Sequence, residues 1–364
     1  MVIDRYLIRE IGSALLAVLG VLLLIFMSKH FVRYMSDAAA GELPAYLIAQ
    51  LLGLFTLAYL PLLIPFALFI AVLIAMGRLY KDSEMTALAA CGIGIPRILQ
   101  TALGLGLVTA MLVGVMSFWL APWAERMQYE LRDRAAMESE FSFLAPGRFH
   151  PVRGGGGVFY LENMSQDKRQ MREVFVFLQD ERGEAVFSAA RAHQYLDPDS
   201  GSRYLVLEDG YRFERLAGEQ GFRFYQYAAS GVRVEPRLPD AAQRPRIAWP
   251  GSRLLEQGDA ASWAELHWRI AMPVSALLLV LLAVLLSRTD PRQGRFGKLF
   301  LALLVYIAYF YLLTLGRAWL KDGVIPLSLG LWWAHGLALA LVVILLGRQL
   351  GWRNLFARRF DAPA

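Results

Sequence analysis

Six stretches of this chain contain no Asp, Glu, Lys or Arg and are long enough to cross a bilayer: 11–28, 51–77, 98–124, 270–287, 299–316 and 324–347. A hydrocarbon core about 30 Å thick takes roughly 20 helical residues at a rise of about 1.5 Å each. Spans of this length must be helices or closed barrels, because lipid offers no partner for an open backbone. The composition agrees: 57% of residues are apolar and 19% charged, whereas soluble domains carry about 25% charged residues. A soluble enzyme and a disordered chain are both excluded, and a single cysteine excludes a disulfide scaffold or a cysteine-ligated zinc site. The sequence predicts an α-helical membrane protein with six transmembrane helices, three on each side of a polar insert at 125–268.

Charge sets the expected orientation. Thirteen Lys and Arg residues lie in the short connections on the side of the N-terminus, and four, Lys29, Arg33, Arg317 and Lys321, on the other. The positive-inside rule places both termini in the cytoplasm and the insert outside. The 121–268 segment holds 19 basic and 22 acidic residues and the remainder 18 basic and 9 acidic. The basicity therefore belongs to the membrane part, facing anionic headgroups, and nucleic acid is not an expected partner. Ala38-Ala39-Ala40 resembles a signal-peptide cleavage site, but the apolar run before it is too long and Lys29 and Arg33 intervene, so a retained first helix is expected.

The insert alternates in the manner of strands. Runs starting at Val158, Val174, Ala185, Tyr204, Tyr211, Phe222 and Val232 are aromatic or β-branched, and turn signals such as Asp209-Gly210 separate them. Seven or more short strands predict an all-β periplasmic domain of sandwich or jelly-roll type. The 123–141 segment reads as a helix carrying the third span outward. The expected division is thus 1–124 for the first three spans, 125–268 for the β domain, 269–347 for the last three spans and 348–364 for a cytoplasmic tail.

Catalytic patterns do not emerge. The five histidines lack ligand spacing, no Gly-x-Ser-x-Gly is present, and the Gly154–Gly157 run lacks a following Lys-Ser/Thr. No catalytic residue, metal or cofactor is expected. Of Asp, Glu, Lys, Arg and His, the six apolar cores hold only His335, and ion-coupled transporters keep charged relays within their spans. Work done by such a chain would have to be driven from outside it.

The connection 77–96 is the natural place for that drive. Asp82 or Ser83 is expected to cap a short helix at about 82–91, with Glu84 in its first turn and Gly92 at its end. Met85, Leu88 and Ala89 then share one face, which suits either a cytoplasmic motor protein or the bilayer surface. Asp82, Ser83, Glu84, Met85 and Leu88 are the candidate coupling residues.

Five motif pieces across the chain carry a resemblance. They are Arg5-Tyr6-Leu7 with Arg9-Glu10, then Gly77-x-Leu79-Tyr80 followed by Ser83-Glu84, Ala90-Cys91-Gly92, Glu265-Leu266-x-Trp268-Arg269-Ile270, and Pro291-Arg292-Gln293-Gly294-Arg295. Together they make the chain similar to the lipopolysaccharide export permease family, the LptF/LptG type. The resemblance implies an ABC-type permease subunit without catalytic activity of its own. Its implied partners are a paralogous LptG-like permease, two copies of a cytoplasmic LptB-like ATPase, a bitopic LptC-like jelly-roll subunit and a periplasmic LptA-like bridge protein. The substrate implied is lipopolysaccharide, entering laterally from the outer leaflet of the inner membrane and leaving through periplasmic jelly rolls. Glu84 would then sit in an ATPase groove.

The residues can be set beside that implication. Lys29, Arg33 and Arg317 stand at the outer ends of the first and fifth spans, where cations are otherwise depleted, and are candidate contacts for lipid phosphates; snorkelling to ordinary headgroups is the plainer alternative. Tyr306, Tyr309 and Phe310 on the fifth span are candidate lateral-gate residues, or simply packing. A different class remains open: an ATPase-coupled envelope scaffold that transmits force without carrying lipid. A transferase acting on lipid-linked sugar would have to rest on Glu265 beside Arg269.

Overall fold

The structure is a computed structural model that describes residues 2–39, 43–139, 146–151, 156–165, 170–180, 183–196, 203–216, 221–234, 244–288 and 295–351. Their order is α1 (Val2–Ala39), α2 (Ile48–Lys81), α3 (Glu84–Ala90), α4 (Ile95–Val115), α5 (Ala121–Ser139), six strands, α6 (Gly251–Gln257), α7 (Ala260–Leu286), α8 (Arg295–Lys321) and α9 (Trp332–Leu350). The strands are β1 (Arg148–Pro151), β2 (Gly157–Met164), β3 (Gln170–Asp180), β4 (Gly183–Leu196), β5 (Arg203–Leu216) and β6 (Arg223–Val234). Among the described residues six helical segments are long and apolar enough to span a membrane. The 291–294 part of the last motif and most of the C-terminal tail lie outside the described residues.

The chain divides into two compact units, the first comprising Met1–Phe31, Ala49–Tyr129 and Gln243–Ala364. Its centre is α7, which buries Ala271, Met272, Ala276, Leu279, Val280, Leu282 and Ala283 among side chains of the other helices. Lipid is as apolar as leucine, so close packing rather than the hydrophobic effect holds such helices together. The α4 sequence provides for this with Ala102, Gly106 and Ala110 at four-residue intervals. A Cβ at Gly106 would lie 3.5 Å from Val280 of α7, so the small residue lets the two backbones approach. A π-helical turn, Met116–Leu120, joins α4 to α5, so the third span and the helix beyond it run on as the sequence predicts. At that turn Ser117 Oγ donates to the Arg269 carbonyl at 3.1 Å.

The second unit comprises Val32–Ile48 and Glu130–Ala242. Its strands form one antiparallel sheet in the order β1-β2-β3-β4-β5-β6, each strand paired with its sequence neighbour. Seven sequence runs become fewer strands because the Tyr204 and Tyr211 runs join as β5 and the Phe222 and Val232 runs join as β6, while β1 is added. Asp209-Gly210 is therefore no turn.

The reason lies in a crease across the sheet. Pairing lapses in one row, at Glu162, Glu173, Ala190, Asp209 and Ala228, yet resumes on both sides without a change of register. Two of these residues, Glu173 (φ 51°) and Asp209 (φ 53°), are left-handed. Across the row the buried positions change parity: Phe159 and Leu161 give way to Met164, Met171 to Val174 and Val176, Phe187 and Ala189 to Ala192, and Leu207 to Gly210. Each of β2 to β5 thus carries one extra residue at the same level, as an aligned series of bulges would. The same side of the sheet stays apolar above and below the crease.

Candidate functional site

Two polar clusters stand at opposite ends of α4. The first surrounds α3. Glu84 begins that helix and Gly92 (φ +79°) ends it, with the Ile93 N–H donating to the Leu88 carbonyl at 2.9 Å, as a left-handed C-terminal cap requires. The expected N-terminal cap is not made: Ser83 is left-handed (φ 60°) and its side chain makes no capping bond, while Asp82 lies 3.9 Å from Arg78. Met85 is buried in the helical core and Leu88 packs against it, whereas Ala89 is exposed. The apolar face predicted for a motor protein is thus occupied by the chain's own helices. The exposed face consists of Thr86, Ala87, Ala89 and Ala90.

Glu84 is bonded within the chain. The Tyr6 hydroxyl of α1 donates to Glu84 Oε2 at 2.8 Å and accepts from Arg78 Nη2 at 3.3 Å. Arg78 Nη1 also pairs with Glu10 at 2.7 Å. Nearby, Asp4 accepts from Arg97 Nη2 at 2.7 Å and from Thr101 Oγ1 at 2.6 Å, tying α1 to the start of α4.

The second cluster is centred on Glu265, at the start of α7. Its Oε1 accepts from Arg269 Nε at 3.0 Å, one turn on, and its Oε2 from Arg317 Nη2 of α8 at 2.5 Å. Arg269 is 2% exposed, and its Nη2 donates to the carbonyls of Arg246, Ile247 and Trp249. A buried guanidinium is tolerated only with a counter-ion and acceptors, and both are present here. Arg317 lies over the Trp268 ring, 4.7 Å from its centre. Of the three cations predicted to meet lipid phosphates, Arg317 therefore already has a carboxylate partner, while Lys29 and Arg33 are exposed on α1, Arg33 within the β-sheet unit.

The fifth-span aromatics separate into two groups. Tyr306 stacks on Phe66 (4.2 Å) and Phe310 (6.0 Å). Tyr309 instead points into the bundle, where its hydroxyl meets Ser275 Oγ and His335 Nδ1, each at 2.8 Å. At 5% exposure Tyr309 is an interior residue and offers no surface to a gate. Among the described residues no three His, Cys, Asp or Glu side chains converge as a metal site would need.

Sequence reasoning missed Tyr6, Arg78 and Arg317's carboxylate. Tyr6 and Glu84 lay in separate motif pieces with nothing to say that they touch. Glu265 and Arg269 carried an i, i+4 signal that was readable once the fourth span was known to begin at Ala260 rather than ten residues later.

Among the described residues, six apolar helices in two groups of three, with an antiparallel sheet inserted between the third and fourth spans, define a polytopic membrane protein with an inserted β domain. The family model for the lipopolysaccharide export system permease LptF/LptG matches residues 5–348, and the chain belongs to that family. It is 32% identical over 355 residues to the lipopolysaccharide export system permease protein LptF of Escherichia coli, covering 95% of this chain and 94% of the relative. The LptF protein of Shigella flexneri matches with the same identity and coverage.

Proposed function

We propose that this LptF-like permease is the membrane subunit of an ABC-type transporter that takes lipopolysaccharide from the outer leaflet of the inner membrane and passes it to a periplasmic bridge. Both termini face the cytoplasm and the β unit faces the periplasm. A separate cytoplasmic ATPase supplies the drive, and a paralogous permease completes the pathway. A bitopic jelly-roll subunit receives the lipid with the β unit.

One observation carries the coupling part of this reading. α3 is a short helix fixed by Met85 and Leu88 on one side and exposed through Thr86, Ala87 and Ala89 on the other, between two spans. Such a helix presents a rigid face to a partner without unfolding. Lys29 on α1 and Arg33, in the β-sheet unit, each supply an exposed cation for a lipid phosphate. Arg holds a phosphate with two parallel hydrogen bonds, as it does a carboxylate.

A photocrosslinker replacing Arg33 in the assembled transporter tests the lipid path. A lipopolysaccharide adduct that grows during ATP turnover is expected. Its absence, with turnover intact, would leave the chain as a force-transmitting scaffold. On α3, Ala87→Arg should reduce copurification of the ATPase; full assembly would remove the docking face from the reading.

A further inference from the structure

α1 is held to the helical unit in an uneven way. Its apolar window is 6% buried, against 56% for α2 and 67% for α7. Between Val2 and Phe31 the buried residues are Leu7 and Ile11, and the polar ties of Asp4, Tyr6 and Glu10 lie within the same two turns. Farther along, the His30 ring stacks on Phe55. The buried residues and polar ties of α1 in the helical unit therefore fall around Tyr6, while Ala14, Leu15 and Leu19 beyond them pack half-buried against the core. α3, for its part, is bounded by two left-handed residues, Ser83 and Gly92, which mark it off as a short body between α2 and α4. Tyr6 Oη joins the two, donating to Glu84 and accepting from Arg78.

We propose that Tyr6 is a positioning residue that couples α3 directly to α1, so that displacement of the short helix moves the first span. This rests on the reading of α3 as the ATPase-facing element. A neutral donor to a carboxylate makes a strong, directional hydrogen bond, and Arg78 fixes the acceptor side of the same hydroxyl. Removing the hydroxyl leaves Leu7, Ile11 and the Asp4 ties in place, so α1 stays docked while its link to α3 is cut.

The experiment uses the complete transporter with its ATPase, reconstituted in lipopolysaccharide-containing liposomes, with Tyr6→Phe as the variant. Spin labels at Leu24→Cys on α1 and Val108→Cys on α4, both exposed, in a Cys91→Ser background, report their separation with and without ATP plus vanadate. In the parent protein the distance distribution shifts with nucleotide. In Tyr6→Phe that shift is lost, and lipopolysaccharide moved per ATP falls by about 3- to 10-fold, the range one net hydrogen bond spans. Copurification of the ATPase is retained in Tyr6→Phe and reduced in Ala87→Arg; the docking-face reading fails separately, when Ala87→Arg leaves assembly untouched. A nucleotide shift in Tyr6→Phe equal to the parent's, an unchanged yield per ATP, or a parent α1 that does not respond to nucleotide each overturns the proposal.

Discussion

Asp259 shows how much a single side chain at a helix start can settle. Its Oδ1 accepts from the Ser262 N–H at 2.9 Å, capping α7, and its Oδ2 pairs with Arg246, which also bonds Ser262 Oγ and lies over Trp249. The hydrogen bonds from Ser262, then the pairing with Arg246, hold its carboxyl below the usual carboxylate range. A depressed folded-state value means that the stabilisation is complete above the unfolded pKa, near pH 4, and is lost as pH falls through the folded value. Asp259→Ala should therefore lower stability by about 1 kcal/mol at neutral pH, the usual worth of such a cap. In thermal unfolding of the detergent-solubilised protein, that deficit should shrink as the pH drops below about 4. A deficit that is constant with pH would assign the effect to packing instead. Little of this was legible from residues alone. Asp259 reads as one more acidic residue in a polar stretch until α7 is seen to start at Ala260, and Arg269 reads as a motif residue beside Glu265 until the carbonyls of Arg246, Ile247 and Trp249 are found around it.

The elements were legible to different depths. The spans followed from their lack of charge, and α3 from its flanking turn residues, because both signals are local. The face of α3 was not, since amphipathic spacing says which residues share a side and not whether that side meets a partner or the chain's own core. The strands were recognised by alternation but miscounted, because the crease inserts one residue per strand and reverses the parity that alternation relies on. At the crease Gly210 faces both the Ser188 carbonyl and the Tyr227 ring, and a Cβ there would collide with Ser188 O and lie 2.5 Å from Tyr227 Oη. Tyr227 in turn donates to Ser188 O at 3.1 Å, so neither neighbour is free to retreat. Gly210→Ala should destabilise the β unit by about 1–3 kcal/mol, the cost of overpacking. Gly231→Ala, where the nearest atom is 3.7 Å away in Tyr204, should not. Limited proteolysis of the purified chain compares them: equal protection of the two variants would mean that the crease relaxes around a methyl group.

At the scale of the molecule, the question is whether the helical unit holds an engine of its own. Counting Asp, Glu, Lys, Arg and His, the sequence places one residue within the apolar cores, His335, and among the described residues the structure buries with it Glu265 and Arg269 of α7. None of the three is arranged as a relay. Glu265 is clasped by two guanidiniums, Arg269 is spent on that carboxylate and on three carbonyls, and His335 is bonded to Tyr309, which is bonded to Ser275. A proton or sodium relay needs groups that exchange partners along a path, and these are fixed to packed neighbours within a few ångströms. The charges serve instead to fasten the start of α7 to α8 and to the segment entering from the β unit. The permease reconstituted alone should therefore leave labelled lipopolysaccharide in place under a pH or sodium gradient, and movement should begin only when ATPase and nucleotide are supplied. Lipid extraction by the isolated chain under either gradient would show that one of these bonded groups releases its partner during transport, and Glu265→Gln and His335→Ala would identify which by abolishing it.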